Sequence, residues 1–314
     1  MLKELENSVE FVLIAEAGIL EAQALLLCES IRRFAGAYSR CHITVISPRS
    51  DRRPSHSTLR KLAQLEAEYL PIEIESCCPE YGSSYRVHAA AHVERRSGPP
   101  LIIQLDSDTL FLSEPDFSLA GYDAAARPVD VKGMCTTGPG DPFDGYWREL
   151  CTLVGVGYEQ IPVIQTTVDR LAVRASYNSG LLATRRASGL FVRTEDILER
   201  LVGAGLHSWT ADGPLMRTGT GFLRGASTAY WGTSQAAFSL ATVVGNRRVQ
   251  LLPNTHNFPL HSLDQMTTPI PTSLVHVHYH WLFADCAEAS PIIERLGLSA
   301  ATAEWLKARL PLTS

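Results

Sequence analysis

Two carboxylates, Asp106 and Asp108, are separated by one residue in the stretch LIIQLDSDTLFLSEPD, from Leu101 to Asp116. In extended backbone, residues i and i+2 point to the same side, so the pair can face one point in space. Carboxylates held close together repel, and a divalent cation bound through oxygen relieves that repulsion. An isolated Asp-x-Asp is most often a solvated turn. Here an apolar run, Leu101 to Leu105, precedes the pair, and a second, Leu110 to Leu112, follows it. That pattern predicts a buried strand delivering the acids at its end, where open α/β sheets bind ligands.

Four further groups bear on the same chemistry. His276, His278 and His280 alternate with apolar residues in VHVHYHW, and on a strand they would share one face. An imidazole beside two carboxylates tilts a site towards Mn²⁺ over Mg²⁺. Tyr177 to Leu182, YNSGLL, reads as a small polar turn entering a strand over Gly180 to Ala183, with Asn178 offering both a donor and an acceptor. Tyr230 to Phe238, YWGTSQAAF, reads as a loop entering a helix capped by Thr233 or Ser234. Leu252 to Pro259, LPNTHNFP, reads alone as a surface loop.

The elements that must position these groups alternate. Val9 to Ala15 is a predicted first strand, Glu21 to Phe34 a helix, and His42 to Ser47 a second strand closed by Pro48. Ser57 to Tyr69 follows as a helix with Ser57 as its cap, then a short strand from Pro71 to Glu75, a helix from Tyr85 to Arg96 and the strand Leu101 to Leu105. Strands alternating with helices predict an α/β fold with a largely parallel sheet covered on both faces. No Gly-x-Gly-x-x-Gly follows the first strand, and no Walker A motif is present. From Gly121 the composition changes. Gly133 to Gly157 is rich in Gly and Pro, with a short helix expected over Gly145 to Val154 and Trp147 as a candidate sugar-facing ring. Trp209 and Trp231 are further candidates for that role. Ser299 to Leu310 is a predicted closing helix.

At 314 residues, 45% hydrophobic and 19% charged, the chain has the composition of an ordinary globule. We expect a single domain over 1–314, with a nucleotide-binding half (1–120) and an acceptor-side half with a closing segment (121–314). A net charge of -5 and a pI near 6.1 argue against nonspecific nucleic-acid binding. No apolar stretch approaches the roughly 20 residues of a membrane span, and the N-terminus does not read as a signal peptide. Seven cysteines without framework or Cys-x-x-Cys spacing suggest reduced thiols and a cytoplasmic location, and they make a zinc site improbable.

The order of these motifs — a strand ending in LDSDT, then YNSGLL, a Gln at a helix start, LPNTHNFP and a terminal HVHYHW — resembles GT-A-fold glycosyltransferases. It is most similar to family eight, the glycogenin and lipopolysaccharide galactosyltransferase relatives. The resemblance implies a Rossmann-like, mixed but mostly parallel sheet flanked by helices. It implies a metal-dependent hexosyltransferase using a nucleotide sugar, with a UDP-sugar the first expectation and Mn²⁺ or Mg²⁺ the cofactor. It places the metal on Asp106, Asp108 and His278, puts Asn178 near sugar and acceptor, and puts Gln235 near the reacting sugar carbon. Donor contacts are expected from Ala15, Glu16 and Ala17 after the first strand, from Arg86, and from Asp106, Ser107 and Asp108. The Asp that precedes the family's Gln is Ser234 here, and the family's C-terminal His-x-x-Gly-x-x-Lys-Pro-Trp is replaced by the His-rich strand. The resemblance also implies transfer with retention, which agrees with an amide at position 235; inversion would need a carboxylate base, for which Asp212 is the candidate. The acceptor, whether carbohydrate, lipid-linked or protein, is not legible.

Two other readings use the same residues. Haloacid-dehalogenase-like phosphatases carry Asp-x-Asp-x-Thr after an apolar strand, with Asp106 then the nucleophile, but Thr109 comes one position early. A non-catalytic nucleotide-sugar-binding protein on a degenerate transferase fold would explain Ser234 and the missing C-terminal Gly and Lys.

Overall fold

The β-branched and apolar runs Val9–Ile14 (β1) and His42–Ser47 (β2) pair in parallel, with Phe11 beside Ile43 and Leu13 beside Val45. The structure is a computed structural model and describes residues 7–313, so positions 1–6 and Ser314 of the expected domain lie outside the described residues. Helix α1 (Ile19–Phe34) follows β1, and α2 (His56–Gln64) leads into β3 (Glu68–Pro71). Helix α3 (Gly82–Arg95) leads into β4 (Leu101–Leu105), and β5 (Thr109–Phe111) and β6 (Ala124–Pro128) follow. Next come α4 (Asp144–Val154), the hairpin of β7 (Val163–Gln165) with β8 (Ala172–Arg174), the long β9 (Tyr177–Arg185) and α5 (Leu190–Gly203). A second hairpin, β10 (Arg217–Thr218) with β11 (Gly221–Phe222), precedes the short α6 (Ala226–Ala229) and α7 (Thr233–Val244). The chain closes with β12 (Val249–Leu251), β13 (Phe258–Pro259), β14 (His276–His278), α8 (Cys286–Arg295) and α9 (Ala300–Lys307).

Seven strands form the main sheet in the order β12-β6-β9-β4-β1-β2-β3. Six share one direction, and β9 runs against its neighbours β4 and β6. The expected mixed, mostly parallel α/β sheet is thus present, and strands from beyond Gly121 complete it. Alternation divides the core between the two faces. Phe11, Leu13, Ile103 and Leu105 pack with Leu27 and Ile31 of α1, whereas Val12 and Ile102 pack with residues of α3, α5 and α7. A small sheet, β13-β14-β5, builds a third cluster with α8 and α9.

Several local expectations shift. The cap of α2 is Ser55, whose hydroxyl accepts from the Thr58 N–H at 3.2 Å, not Ser57. The third strand ends at Pro71 instead of starting there, because its partner β2 stops at Ser47 before Pro48. Beyond Pro71, the N–H groups of Ile72 and Ile74 reach only the Ser47 and Pro48 carbonyls. Asn178 and Gly180 lie inside the buried strand β9, not in a turn before it. Helix α7 starts from Gly232 at φ 87, with neither Thr233 nor Ser234 as its cap. Ser299 does cap the last helix.

Candidate functional site

Asp106, Ser107 and Asp108 form the link between β4, in the main sheet, and β5, in the small one. The link is clamped from several sides. The Asp106 N–H donates to the Gly180 carbonyl at 3.1 Å, the Thr109 hydroxyl donates to the Asp106 carbonyl at 2.7 Å, and the Tyr279 N–H donates to the Asp108 carbonyl at 3.0 Å. The Ser107 hydroxyl donates to the carbonyl of Ile14, at the end of β1. Both carboxylates turn to one imidazole: His278 Nε2 lies 3.3 Å from Asp108 and 4.0 Å from Asp106. The other Asp106 oxygen is ion-paired with Arg86, from α3.

His278 arrives because β14 pairs antiparallel with β5, setting His278 opposite Thr109. The chain then leaves extended geometry, with His280 at φ 50, and one ligand atom each of Asp108, His278 and His280 falls within 4.8 Å of the others. The expectation that all three histidines share a face is therefore corrected. His276 is fully buried against the Phe111 ring, 4.6 Å between centroids, and is not in that group. Burial by itself would raise Asp108, but the charge and hydrogen bond of His278 outweigh it and hold the carboxyl well below the usual carboxylate range. Burial would likewise lower His278, but Asp108 and then Asp106 raise it above the usual imidazole value. Burial pushes Asp106 up, with Arg86 opposing and Asp108 adding to the rise. Burial holds His280 far down, in its neutral form.

Beside this cluster Asn178 is fixed by three hydrogen bonds of 2.9 Å. Its oxygen accepts from the Gly180 N–H and from Asn257, and its nitrogen donates to Asp130. A Cβ at Gly180 would stand 2.4 Å from Asn257 Oδ1 and 2.7 Å from His278 Nδ1, so only glycine lets these side chains cross the strand here. The β6–β9 register also shifts at this point, between Ala126 and Arg127, as bulges do beside sites. Burial pushes the Asp130 carboxyl up to about 6. His261 lies 3.7 Å from Asp130 and stacks on His280 at 3.8 Å, and burial pulls it down to about 4.

The cluster lies on the wall of a cavity of about 960 Å³. Towards β1, Glu16 takes a two-pronged contact from Arg49, whose guanidinium lies 4.4 Å from the Tyr85 ring centre. On the α7 side, Arg86 reaches Ser234 at 3.4 Å, Tyr81 donates to the same hydroxyl at 3.0 Å, and Gln235 donates to Ser179 at 3.5 Å. The β10–β11 hairpin crosses the opening. A Cβ on Gly219 would stand 2.4 Å from Asp108 Oδ2, and the Gly219 carbonyl accepts from Gln23 at 3.0 Å.

Of the residues named from sequence, Glu16, Arg86, Asp106, Ser107, Asp108, Asn178, Gln235 and His278 all line this cavity. Others do not. The Ala15 and Ala17 N–H groups are committed to the Ile46 and Arg52 carbonyls, so they have no donor left for a ligand. Asp212 is exposed and lies off the cavity lining. Trp147 is fully buried, its indole N–H bonded to the Met134 carbonyl, and cannot face a sugar. Trp209 packs on Phe143 away from the lining, whereas Trp231 and Trp281 belong to it. Sequence reasoning missed Asp130, His261 and Arg49, and Asn257, in the segment read alone as a surface loop, is buried. Asp130 had a signal, an acid shortly after the strand-like segment AAARPV of Ala124 to Val129; His261 had none.

A family model of the Rhodobacterales glycosyltransferase domain matches residues 11–202, more than half of the chain. The chain belongs to that glycosyltransferase family. No relative is found among curated proteins. The matched span holds Asp106, Asp108, Asp130 and Asn178; Gln235 and the histidines of the site lie beyond it. Membership assigns glycosyl transfer to the chain and removes the footing of the phosphatase reading. Among the described residues no helix is long and apolar enough to cross a membrane.

Proposed function

We propose that this glycosyltransferase moves a hexosyl group from a nucleotide sugar, a UDP-sugar before others, with a divalent cation held at Asp108, His278 and His280. The observation that carries the reading is the convergence of these three side chains on the cavity wall, within 4.8 Å. The donor set fits a cation. One carboxylate and two imidazoles suit Mn²⁺, and the buried Nδ1 atoms of His278 and His280 have no hydrogen-bond partner among the described residues. The strand order, with an antiparallel strand beside β4 and the acidic pair at the end of β4, supports a GT-A-type, family-eight-like assignment. Asp106 becomes a neighbour of the ligand set, neutralised by Arg86.

A bound cation would supply Lewis-acid stabilisation of charge on the departing diphosphate. The protein's own groups do the rest. The Arg86 guanidinium, held by Asp106 and reaching Ser234, sets N–H donors at the same point, where preorganised donors are most effective. Glu16, Arg49 and Tyr85 give the β1 end of the cavity the polar and planar groups suited to a base. Asn178, locked by its three bonds, and Gln235 orient the sugar. With an amide at position 235 we favour retention. Inversion has one specific observation behind it: Asp130, on the cavity wall with its pKa near 6, replaces Asp212 as the candidate base.

Calorimetric titration of UDP and GDP, each with and without Mn²⁺, tests the reading on the wild type and on Asp108→Ala. Mn²⁺-dependent binding of one nucleotide, abolished by the substitution, is expected. Failure of both nucleotides to bind with metal present would sink it. The anomeric configuration of the product, read by NMR, separates retention from inversion.

A further inference from the structure

Seven large hydrophobic side chains are exposed among the described residues, and three of them, Val131, Leu215 and Phe222, line the same cavity. Leu215 is 72% and Phe222 54% exposed, both in or beside the β10–β11 hairpin that crosses the opening, and Val131 is 40% exposed just after Asp130. Exposed apolar groups scattered singly need no explanation, but a group gathered at one mouth does. The hairpin segment itself carries charge of one sign. From Pro214 to Gly225, PLMRTGTGFLRG, there are two arginines and no carboxylate. Arg217 is committed, lying 3.6 Å from Glu288 and 4.9 Å from the Trp281 ring centre. Arg224 lines the cavity, is exposed, and has no ion-pair partner among the described residues.

We propose that the acceptor is an anionic amphiphile: a hydroxyl-bearing molecule with an alkyl or aryl segment next to a phosphate or similar anion. The apolar segment lies on Leu215, Phe222 and Val131, and the anion meets Arg224. This deepens the transferase reading and rests on it. In the transfer, an acceptor hydroxyl oxygen bonds to the sugar carbon, the bond from that carbon to the diphosphate breaks, and the hydroxyl proton passes to the departing diphosphate. A purely hydrophilic acceptor would leave the apolar mouth in water, and a neutral one would leave Arg224 unmatched.

The test uses the full chain and n-decyl phosphate below its micelle concentration, titrated by calorimetry beside inorganic phosphate and n-decyl maltoside. Decyl phosphate should bind about tenfold more tightly than either control, since chain and anion each contribute. The double substitution Leu215→Ser with Phe222→Ser should cost about tenfold. Arg224→Ser should weaken decyl phosphate and leave decyl maltoside unchanged. Equal affinity in the double variant, or inorganic phosphate binding as well as decyl phosphate, would overturn the proposal. Mn²⁺-dependent nucleotide binding on the same samples separates the two readings. If it persists while decyl phosphate fails, the amphiphile proposal alone falls; if it is absent from the wild type while decyl phosphate binds as expected, the donor reading alone falls.

Discussion

Three groups among the described residues gather acids with histidine, and two of them, one in the main sheet and one at the cavity, differ in what surrounds them. Glu10, His42 and Glu68, on three adjacent strands of the main sheet, bring ligand atoms within 4.8 Å, as Asp108, His278 and His280 do. In the first group every carboxylate has a partner. Glu10 is ion-paired with Arg186 and accepts from Thr44 at 2.7 Å, and Glu68 accepts from His42 at 2.9 Å and from Arg96 at 3.2 Å. In the second group, buried imidazole nitrogens lack partners, and the group opens on the large cavity. Buried polar atoms are normally satisfied. A satisfied cluster therefore reads as structure, tying neighbouring strands together, and an unsatisfied one beside a cavity reads as a site. Residue types alone do not distinguish the two.

The sharpest way to break that contrast is to substitute both clusters and measure the same binding. Asp108→Ala should weaken Mn²⁺-dependent nucleotide binding by more than about 100-fold, at least the upper end of what loss of a ligand-supporting group costs. Glu68→Gln should leave that affinity unchanged in the same titration. Stability should respond the other way. Glu10→Ala leaves the largely buried Arg186 without its counter-ion, and such losses cost about 3–5 kcal/mol. Chemical denaturation should show this as a lower midpoint at unchanged nucleotide affinity.

A smaller effect is expected from His280→Ala. Losing one of three ligands while Asp108 and His278 remain should reduce Mn²⁺ affinity by about 10-fold, read by calorimetry. Smallest is a pH effect at the structural cluster. Burial would raise Glu68, but the His42 hydrogen bond and Arg96 hold it below its usual 4.5. A carboxylate whose pKa is depressed by folding stabilises above its unfolded value, and the benefit is lost as pH falls through the folded value. Stability of the wild type should therefore drop below about pH 4.5 more steeply than that of Glu68→Gln, as thermal melts across pH 3–6 would show.

Much of the frame was legible in the sequence because it rests on local patterns. The runs at β1, β2 and β4 are strongly apolar, and two of the three have the predicted bounds. What was missed depends on distant partners. β6 begins Ala-Ala-Ala, which carries little strand preference, and it is a strand only because β9 and β12 lie beside it. The start of β9 looked like a turn because Asn178, Ser179 and Gly180 are turn-forming types, although a strand was expected from Gly180 to Ala183. Their polarity is absorbed by Asp130, Asn257 and Gln104, none of them close in sequence. The acidic pair could be named because a strand and its end lie within one stretch. The choice among three histidines could not, because it turns on where β14 stops and the backbone changes hand at His280. Trp147 shows the reverse error: in a Gly- and Pro-rich segment it looked available, yet it anchors the core behind the cavity.

The central claim is that imidazole nitrogen joins a carboxylate in holding the cation. Pulsed electron paramagnetic resonance of Mn²⁺ bound to the full chain in the presence of UDP tests this directly. Histidine nitrogen coupling should appear in the wild type and be lost when His278 and His280 are both replaced by Ala. Bound Mn²⁺ whose spectrum carries no nitrogen coupling would contradict the account.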